Sequence, residues 1–225
     1  KRVEKELIQI NIDSKAGDVF SAEKIREDIE TIYGLGYFEN VAVEYEETED
    51  GLVLYYVVDE KPVLVDLRVS GNDDIKDEDI QEVITVSEGK IVDMRDVVAS
   101  KVAIEKLYAQ KGLVDTDVSY EIEPLDVGTI GVRYNIREGE TAYIKEVDIK
   151  GNENLDDDYL KERIYSKPKG FFSFLSKKGL YNLEEINRDS ERIRAFYLDK
   201  GFLDVNVSSP EITYDQEKEG YKVVF

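Results

Sequence analysis

The middle of the chain contains a strand pattern followed by two helix patterns. Residues 63–69 place apolar side chains at every second position, and this period of two predicts a strand with one apolar face. A short helix is predicted from about Ile75 to Ile84 and a longer one from about Met94 to Gln110. Asp93 is the expected N-cap of the longer helix, and Gly112 follows its end.

Two further strands complete this pattern, at about Val114–Ile122 and Ile130–Arg137, with a turn around Gly128. Two antiparallel helices return the chain so that the last strand runs parallel to the first, whereas a hairpin makes the last two strands antiparallel. The order β-α-α-β-β therefore predicts a mixed three-stranded sheet. We expect the final strand at its centre, the middle strand at an edge and the helix pair on one face.

The same landmarks recur along the chain, which indicates a repeat. Gly71-Asn72 returns as Gly151-Asn152, a spacing of 80 residues. Gly36, Gly112 and Gly201 are each followed by two apolar residues and an acid. The equivalent second helix carries Ser21 as its expected cap in the first repeat.

The fold class is therefore α+β, with three tandem β-α-α-β-β units. We expect unit 1 at residues 1–61, unit 2 at 62–140 and unit 3 at 141–225, with a longer insert between its helices at about 167–180. Unit 1 lacks its opening strand. The repeat leads us to expect a strand ending in Gly-Asn ahead of Lys1, and a continuation of the last strand beyond Phe225 into an acidic residue and a glycine.

Composition removes several functional classes. The 225 residues include 51 acids against 30 Lys and Arg, so the net charge is −21 and binding to nucleic acid is not expected. The chain has no His and no Cys, which excludes His- or Cys-ligated zinc, thiol nucleophiles, catalytic histidine and disulfides. Its apolar runs are far shorter than the roughly 20 residues of a membrane-spanning helix.

These units resemble POTRA domains, and most closely those of the outer-membrane β-barrel assembly factors. The resemblance covers the whole chain and depends on the order and spacing of its motifs. Gly36-Tyr37-Phe38-Glu39 and Val58-Asp59-Glu60-Lys61-Pro62 are similar to motifs of the first such domain. The run from Phe196-Tyr197 to Gly201-Phe202, with the long insert before it, is similar to the third.

The resemblance implies a periplasmic scaffold attached to the outer membrane through a C-terminal barrel that this sequence does not contain. Its implied partners are unfolded outer-membrane proteins and the lipoproteins of the assembly complex. Neither a cofactor nor enzymatic activity is implied. The alternative within the same class is the periplasmic arm of a different POTRA transporter, of the two-partner secretion or translocation-module type.

Open sheet edges are the candidate binding sites, because an extended peptide can pair with their N–H and C=O groups almost regardless of its sequence. The candidate edges are Val41–Glu46, Val114–Tyr120 and Val205–Ser209. They are represented by Val41, Val43 and Tyr45, by Val114, Val118 and Tyr120, and by Val205, Val207 and Ser209. The alternative is that these edges bind nothing and that acids such as Glu44 and Glu46 deter pairing.

The insert and the junctions are the remaining candidates. Phe171, Phe172, Phe174 and Leu175 lie among lysines in an otherwise acidic chain. They are interpreted either as a docking surface for an acidic partner or an anionic lipid surface, or as side chains that pack against their own unit. Pro62 and Gly139 mark short inter-unit hinges, and we expect greater bending at Gly139 because proline is the stiffer residue.

Other functional classes fit the sequence less well. A glycoside hydrolase needs a pair of acids in a cleft, and no such pair stands out in three small repeats. The acid clusters at 73–79 and 156–158 begin helices and lack the spacing of an EF-hand loop, so a calcium site is not expected. An RNA-binding module is disfavoured by the charge and by the lack of a Gly-x-x-Gly loop between paired helices.

Overall fold

The computed structural model describes residues 3–49, 51–170 and 179–225. The chain divides into two compact units by its internal contacts. The first holds residues 1–68, 84–100 and 120–134, and the second holds residues 69–83, 101–119 and 135–225. The division passes through the middle repeat, so each unit contains one complete inter-repeat junction.

The elements occur in the order that the repeat predicts. The first repeat has α1 (Lys5–Asn11), α2 (Ala22–Gly34), β1 (Phe38–Thr48) and β2 (Gly51–Glu60). The second has β3 (Val63–Ser70), α3 (Asp77–Val83), α4 (Met94–Gln110), β4 (Asp117–Asp126) and β5 (Thr129–Arg137). The third has β6 (Ile144–Asp148), α5 (Asp157–Lys161), α6 (Leu183–Asp199), β7 (Glu211–Asp215) and β8 (Gly220–Val224).

The sheets confirm the predicted fold class. The second sheet has the strand order β3-β5-β4 and the third has β6-β8-β7, so the final strand of each repeat is central. In the third sheet β8 runs parallel to β6 and antiparallel to β7, which makes the sheet mixed. The first sheet contains only the antiparallel pair β1-β2 within the described residues, in agreement with the missing opening strand.

The helix ends follow the predicted capping residues. The Ser21 hydroxyl accepts a hydrogen bond from the Lys24 N–H at 3.3 Å, and the Asp93 carboxylate accepts one from the Arg95 N–H at 2.9 Å. The glycines after the three second helices, at positions 36, 112 and 201, have φ of +80°, +82° and +90°. Only glycine adopts this left-handed conformation without strain, which is why the Gly landmark recurs.

Two predicted strands begin later than the sequence pattern indicates. Val114 lies in a turn ahead of β4, because Asp115 has a φ of +58° and breaks the extended conformation. Residues 205–209 precede β7 and belong to no strand. The β7–β8 register begins with Glu211 opposite Val224, and Pro210, directly before it, has no N–H to donate.

The third repeat has a continuous apolar core, formed by the inner faces of its sheet and α6. Its buried members are Ile144, Val147, Ile149, Leu160, Ile164, Ile186, Ile193, Tyr197, Val223 and Phe225. Burying each large apolar side chain contributes at most about 1.5–3 kcal/mol. The helix is therefore held on its sheet by the 3.6-residue apolar stripe that the sequence shows.

A buried acid on the second helix ties down the end of the first helix in two repeats. The Asp28 carboxylate accepts hydrogen bonds from the N–H groups of Asp13 at 2.6 Å and Ser14 at 3.2 Å, just after α1. The Asp189 carboxylate accepts from the N–H groups of Tyr165 at 2.8 Å and Ser166 at 2.7 Å, after α5. These acids accept from backbone N–H groups of the segment that follows each short helix, where no helical or sheet partner is available.

Candidate partner-binding edges

The outer edge of β1 is the longest candidate. Its inner edge pairs with β2 from Phe38 to Thr48, and no other strand of the described residues pairs with it. Val41 and Val43 are half-buried, whereas Tyr45 is 68% exposed on the same face, since strand residues two apart share a face. These three predicted residues therefore lie on one strand with an open row of backbone donors and acceptors.

Acidic side chains accompany this open edge. Glu44, Glu46 and Glu47 are exposed on β1. The Tyr55 hydroxyl donates to the Glu46 carboxylate across the β1–β2 pair at 3.0 Å, and this hydrogen bond raises the pKa of Tyr55. The side chains can repel other acidic strands, while the backbone groups at the edge remain directed outwards.

Strand β2 pairs with β1 on one side within the described part of the chain. Its other side corresponds to the place that the opening strands β3 and β6 occupy in the second and third sheets, so it is not counted as a candidate edge.

The second sheet places β4 at an edge, as predicted for the middle strand of a repeat. Val118 is buried and Tyr120 is partly exposed on this strand. Val114 lies outside the strand, and its N–H donates to the Glu140 carbonyl at 3.1 Å. Its backbone donor is therefore already used, so Val114 cannot belong to the pairing edge.

The third predicted edge is shorter than expected. Only Glu211–Asp215 forms β7, so the strand that lies at this edge excludes Val205, Val207 and Ser209. Val205 and Val207 instead pack against the core of the third repeat. They also line an open groove beside it.

The predicted docking residues of the insert, Phe171, Phe172, Phe174 and Leu175, lie outside the described residues. The two ends of the insert are held close to each other. The Lys169 N–H donates to the Ile144 carbonyl at 2.7 Å, and the Ile144 N–H donates to the Gly179 carbonyl at 2.8 Å. The Lys169 ammonium lies 3.2 Å from the centre of the Tyr143 ring.

The two predicted hinge residues have different surroundings. Pro62 accepts a hydrogen bond at its carbonyl from the Val92 N–H at 2.9 Å. A Cβ atom at Gly139 would lie 1.5 Å from the Val114 carbonyl oxygen, so this position requires glycine because another backbone segment passes directly against it. Greater bending at Gly139 than at Pro62 stays a prediction, and the close packing opposes it.

Other kinds of site are not indicated in the part of the chain that the structure describes. No group of three or more acidic side chains there is arranged to hold a metal ion. No helix in the same residues is long and apolar enough to cross a membrane. The sheet edges therefore remain the main candidate surfaces.

Comparison with known proteins agrees with this architecture. The family model of POTRA, described as a surface antigen variable number repeat, matches residues 1–61, 62–139 and 142–225. The outer membrane protein assembly factor BamA of Nitratidesulfovibrio vulgaris is 27% identical over 218 residues, which are 96% of this chain and 28% of that protein. BamA of Neisseria meningitidis serogroup B is 21% identical over 207 residues, 91% of this chain and 26% of that protein.

A crystal structure of Haemophilus influenzae BamA POTRA domains 3–5 aligns with a TM-score of 0.48 and 14% identity, covering 100% of this chain and 90% of that one. The chain spans little more than a quarter of the length of the curated relatives, at 28% and 26%. Because three copies of the family model together match nearly every residue, the chain belongs to the POTRA family.

Proposed function

We propose that this chain is the periplasmic region of an outer-membrane protein assembly factor, in which it binds unfolded β-barrel precursors and accessory lipoproteins. The support is the tandem POTRA architecture together with relatives that are named as outer membrane protein assembly factors. The mechanism proposed for the precursors is the addition of an extended client strand to an open sheet edge.

The observation that supports this mechanism is the outer edge of β1, which no other strand of the described residues pairs with. An added strand gains backbone hydrogen bonds that do not depend on its side chains, so one edge can serve many different clients. Four or five such bonds at about 0.5–1.5 kcal/mol each total roughly 2–7.5 kcal/mol, which corresponds to a reversible complex with a dissociation constant between about tens of millimolar and the low micromolar range.

Length makes β1 a better candidate than the other edge strands, since β1 has 11 residues, β4 has 10 and β7 has 5. Tyr45 on β1 is 68% exposed. A client strand that pairs with β1 would cover part of this side chain, and this burial would add to the backbone hydrogen bonds.

The experiment is a titration of the isotope-labelled chain with a peptide that copies a terminal strand of an outer-membrane barrel, followed by backbone amide NMR. We expect shifts along β1 or β4 that saturate at millimolar peptide. A sequence-scrambled peptide with the same apolar alternation should bind similarly, because pairing uses the backbone.

Two N-methylated peptides provide the matched control. Methyl groups on one set of alternate residues remove the N–H groups that face the sheet edge, whereas methyl groups on the other set point away from it. We expect only the first set to abolish the shifts. If both sets act alike, or if no edge amide shifts at millimolar peptide, strand addition by this chain is wrong.

The lipoprotein part of the proposal has a separate test. The same labelled chain is titrated with lipid-free forms of the assembly lipoproteins from the source organism. If a lipoprotein binds without shifting the edge amides, it docks on a different surface of the chain. If none of the lipoproteins binds, the proposal that this chain binds lipoproteins is wrong.

A further inference from the structure

The opening strand of the second repeat, β3, lies at one edge of its sheet, and β4 lies at the other. Backbone groups on the outer side of β3 are already in use. The Leu64 carbonyl accepts a hydrogen bond from the Gly89 N–H at 2.7 Å, and the Leu64 N–H donates to the Lys90 carbonyl at 3.0 Å. The loop before α4 therefore pairs with the start of β3 in the manner of a short neighbouring strand.

A side chain continues this pairing further along β3. The Leu67 N–H donates to the Glu88 carboxylate at 2.8 Å, across 21 residues of chain. Glu88 itself is exposed. A carboxylate oxygen at this distance takes the position in which the carbonyl oxygen of an added strand would accept from Leu67. Glu88 thus uses a backbone donor that strand addition to β3 requires.

This contact differs in kind from the acids of the first sheet. Glu44 and Glu46 belong to β1 itself, so their side chains stand on a face of the sheet and repel other acids by charge. Glu88 comes from the neighbouring loop and meets the backbone of the edge directly. It therefore occupies the edge rather than only repelling from it.

The third repeat has the same loop pairing at its opening strand. The Ile144 N–H donates to the Gly179 carbonyl at 2.8 Å, and the Ile144 carbonyl accepts from the Lys169 N–H at 2.7 Å. Ile144 lies 80 residues after Leu64, at the spacing of the repeat. Pairing of this loop with the start of the opening strand is therefore a property shared by the two repeats.

The carboxylate, in contrast, is specific to the second repeat. At the spacing of 80, Pro168 takes the place of Glu88 and Val147 takes the place of Leu67. The Asp148 carbonyl accepts a hydrogen bond at 2.9 Å from the residue after β8, so the preceding Val147 N–H faces the outer edge of β6. Because proline has no side-chain acceptor, the third repeat cannot use this position to occupy its edge.

We propose that Glu88 is a specificity-determining residue, which closes the β3 edge and thereby directs an added strand to β4 in the second repeat. The proposal rests on the edge pairing of the proposed function and names the side chain that selects between the two edges of one sheet. An incoming strand must displace the Glu88 carboxylate from Leu67 before it pairs with β3. Within the described residues, no side chain accepts in this way from a backbone N–H of β4.

Hydrogen exchange at the Leu67 amide tests the contact without any ligand. Glu88→Ala removes the acceptor, whereas Glu88→Gln removes the charge but retains an oxygen that accepts hydrogen bonds. We expect Leu67 to exchange about twofold to tenfold faster in Glu88→Ala than in Glu88→Gln, which is the size of one hydrogen bond. Equal exchange at Leu67 in the two variants and the wild type would overturn the proposal.

Titration with the barrel-strand peptide of the previous section tests the selection between the edges. In the wild type and in Glu88→Gln, we expect the β4 amides to shift at lower peptide concentration than residues 65–70 of β3. In Glu88→Ala, the concentration needed at residues 65–70 should fall by about twofold to tenfold, while that needed at β4 stays the same. The comparison of the two variants removes the effect of charge, since both lack the carboxylate.

The two measurements separate this proposal from the function on which it rests. If Glu88→Ala leaves the response at residues 65–70 unchanged while β4 still shifts, the closing role is wrong and edge pairing stands. If β3 responds in Glu88→Ala while β1 and β4 shift in none of the proteins, pairing at those two edges is wrong and the closing role stands. If no amide shifts in any protein, edge pairing is wrong, and the exchange rate of Leu67 decides the closing role.

Discussion

The two inter-repeat junctions have the same backbone framework but different side-chain chemistry. At the first, the Val92 N–H donates to the Pro62 carbonyl at 2.9 Å, and Val63 forms a bridge with Ile91. At the second, the Tyr181 N–H donates to the Ala142 carbonyl at 2.9 Å, and Tyr143 forms a bridge with Leu180. In both, a short extended linker is held by the loop that precedes the second helix of the following repeat.

Charged side chains reinforce the first junction. The Lys61 ammonium lies 2.8 Å from the Asp93 carboxylate, which also receives the Arg95 guanidinium at 2.8 Å. Asp93 is at the same time the N-cap of α4. One side chain therefore caps a helix of the second repeat and holds the last residue of the first.

Close backbone packing and neutral hydrogen bonds reinforce the second junction. The Ala142 N–H donates to the Gly112 carbonyl at 2.8 Å, a bond that Pro62 cannot form at the matching position of the first junction. The cap of α6 is Asn182, whose side-chain N–H lies 3.5 Å from the Gln110 carbonyl. The comparison teaches that the same backbone geometry can be stabilised by a titratable side chain at one junction and by a neutral side chain at the other.

The largest expected effect is at Gly139. Gly139→Ala places a methyl group against the Val114 carbonyl, where a Cβ would lie 1.5 Å from the oxygen, and only a backbone shift can relieve this overlap. We expect a loss of about 1–3 kcal/mol or more in the stability of the second junction. Hydrogen exchange of peptides spanning 112–116 and 139–145 measures the loss locally.

Gly34→Ala is the matched control, because nothing lies within 4 Å of a Cβ at this helical glycine. It should be neutral or stabilising by up to about 1 kcal/mol. If Gly139→Ala leaves exchange at the second junction unchanged, close packing is not what holds that junction.

The next effect distinguishes the two caps. Asp93→Ala and Asn182→Ala should each destabilise the adjacent junction by about 0.5–2 kcal/mol through loss of the helix cap. We expect Asp93→Ala to have the larger effect, because it also removes the ion pair between Asp93 and Lys61 at 2.8 Å. Amide protection on each side of the two junctions, measured by NMR, reports both variants. A larger effect of Asn182→Ala would mean that the neutral cap contributes more to its junction than the charged cap does.

Lowering the pH should destabilise the first junction more than the second. Hydrogen bonds from Arg95, then from Lys61, hold the pKa of Asp93 well below its usual value. Because the pKa is lower in the folded than in the unfolded state, this stabilisation is present above the unfolded pKa of about 3.9 and is lost as the pH falls toward the folded one. Protection at the first junction should therefore fall below about pH 4.

The Asp93→Asn variant provides the control for this pH effect. It keeps an acceptor at the N-cap and removes the titration, so its first junction should show less acid dependence than the wild type. Asn182 carries no titratable group, and Asn182→Asp should introduce acid dependence at the second junction. An Asp93→Asn variant with unchanged pH dependence would assign the acid effect to other carboxylates.

The smallest effect is expected at an exposed pair of the second junction. Lys106 and Glu184 are 3.4 Å apart, and the lysine side chain is 59% exposed. Such a pair contributes about 0–1 kcal/mol, so Glu184→Gln should change the unfolding midpoint only slightly, and less still at high salt. Lys61→Met should have the larger and less salt-sensitive effect, because the Lys61 side chain is only 14% exposed. If Glu184→Gln and Lys61→Met change the urea unfolding midpoint equally at low and at high salt, the distinction between the exposed and the less exposed ion pair is wrong.

The repeat pattern was sufficient to predict much of the fold. The second helix of the middle repeat spans Met94–Gln110 with Asp93 at its start, as predicted, because apolar periodicity, a capping acid and a terminal glycine all act locally. The central position of β5 and β8 also followed, since two helices and a hairpin leave few ways to connect three strands.

Strand starts and the candidate sites were less predictable. Residues 205–209 alternate like a strand, but they form none, and Val205 and Val207 pack against the core of the third repeat instead. The sequence also could not distinguish the buried carboxylates of Asp28 and Asp189 from the many exposed acids, because burial depends on which loop lies above the helix.

The sequence by itself determined the number of repeats, the order of their helices and strands and the residues that cap them, because these features depend on short-range periodicity and on local hydrogen bonds. Only the tertiary structure decided that Gly139 is required for close approach and that the Asp28 and Asp189 carboxylates are buried. Both depend on residues that lie far apart in the chain, and the free energy of such contacts is set by packing distances that no local pattern encodes.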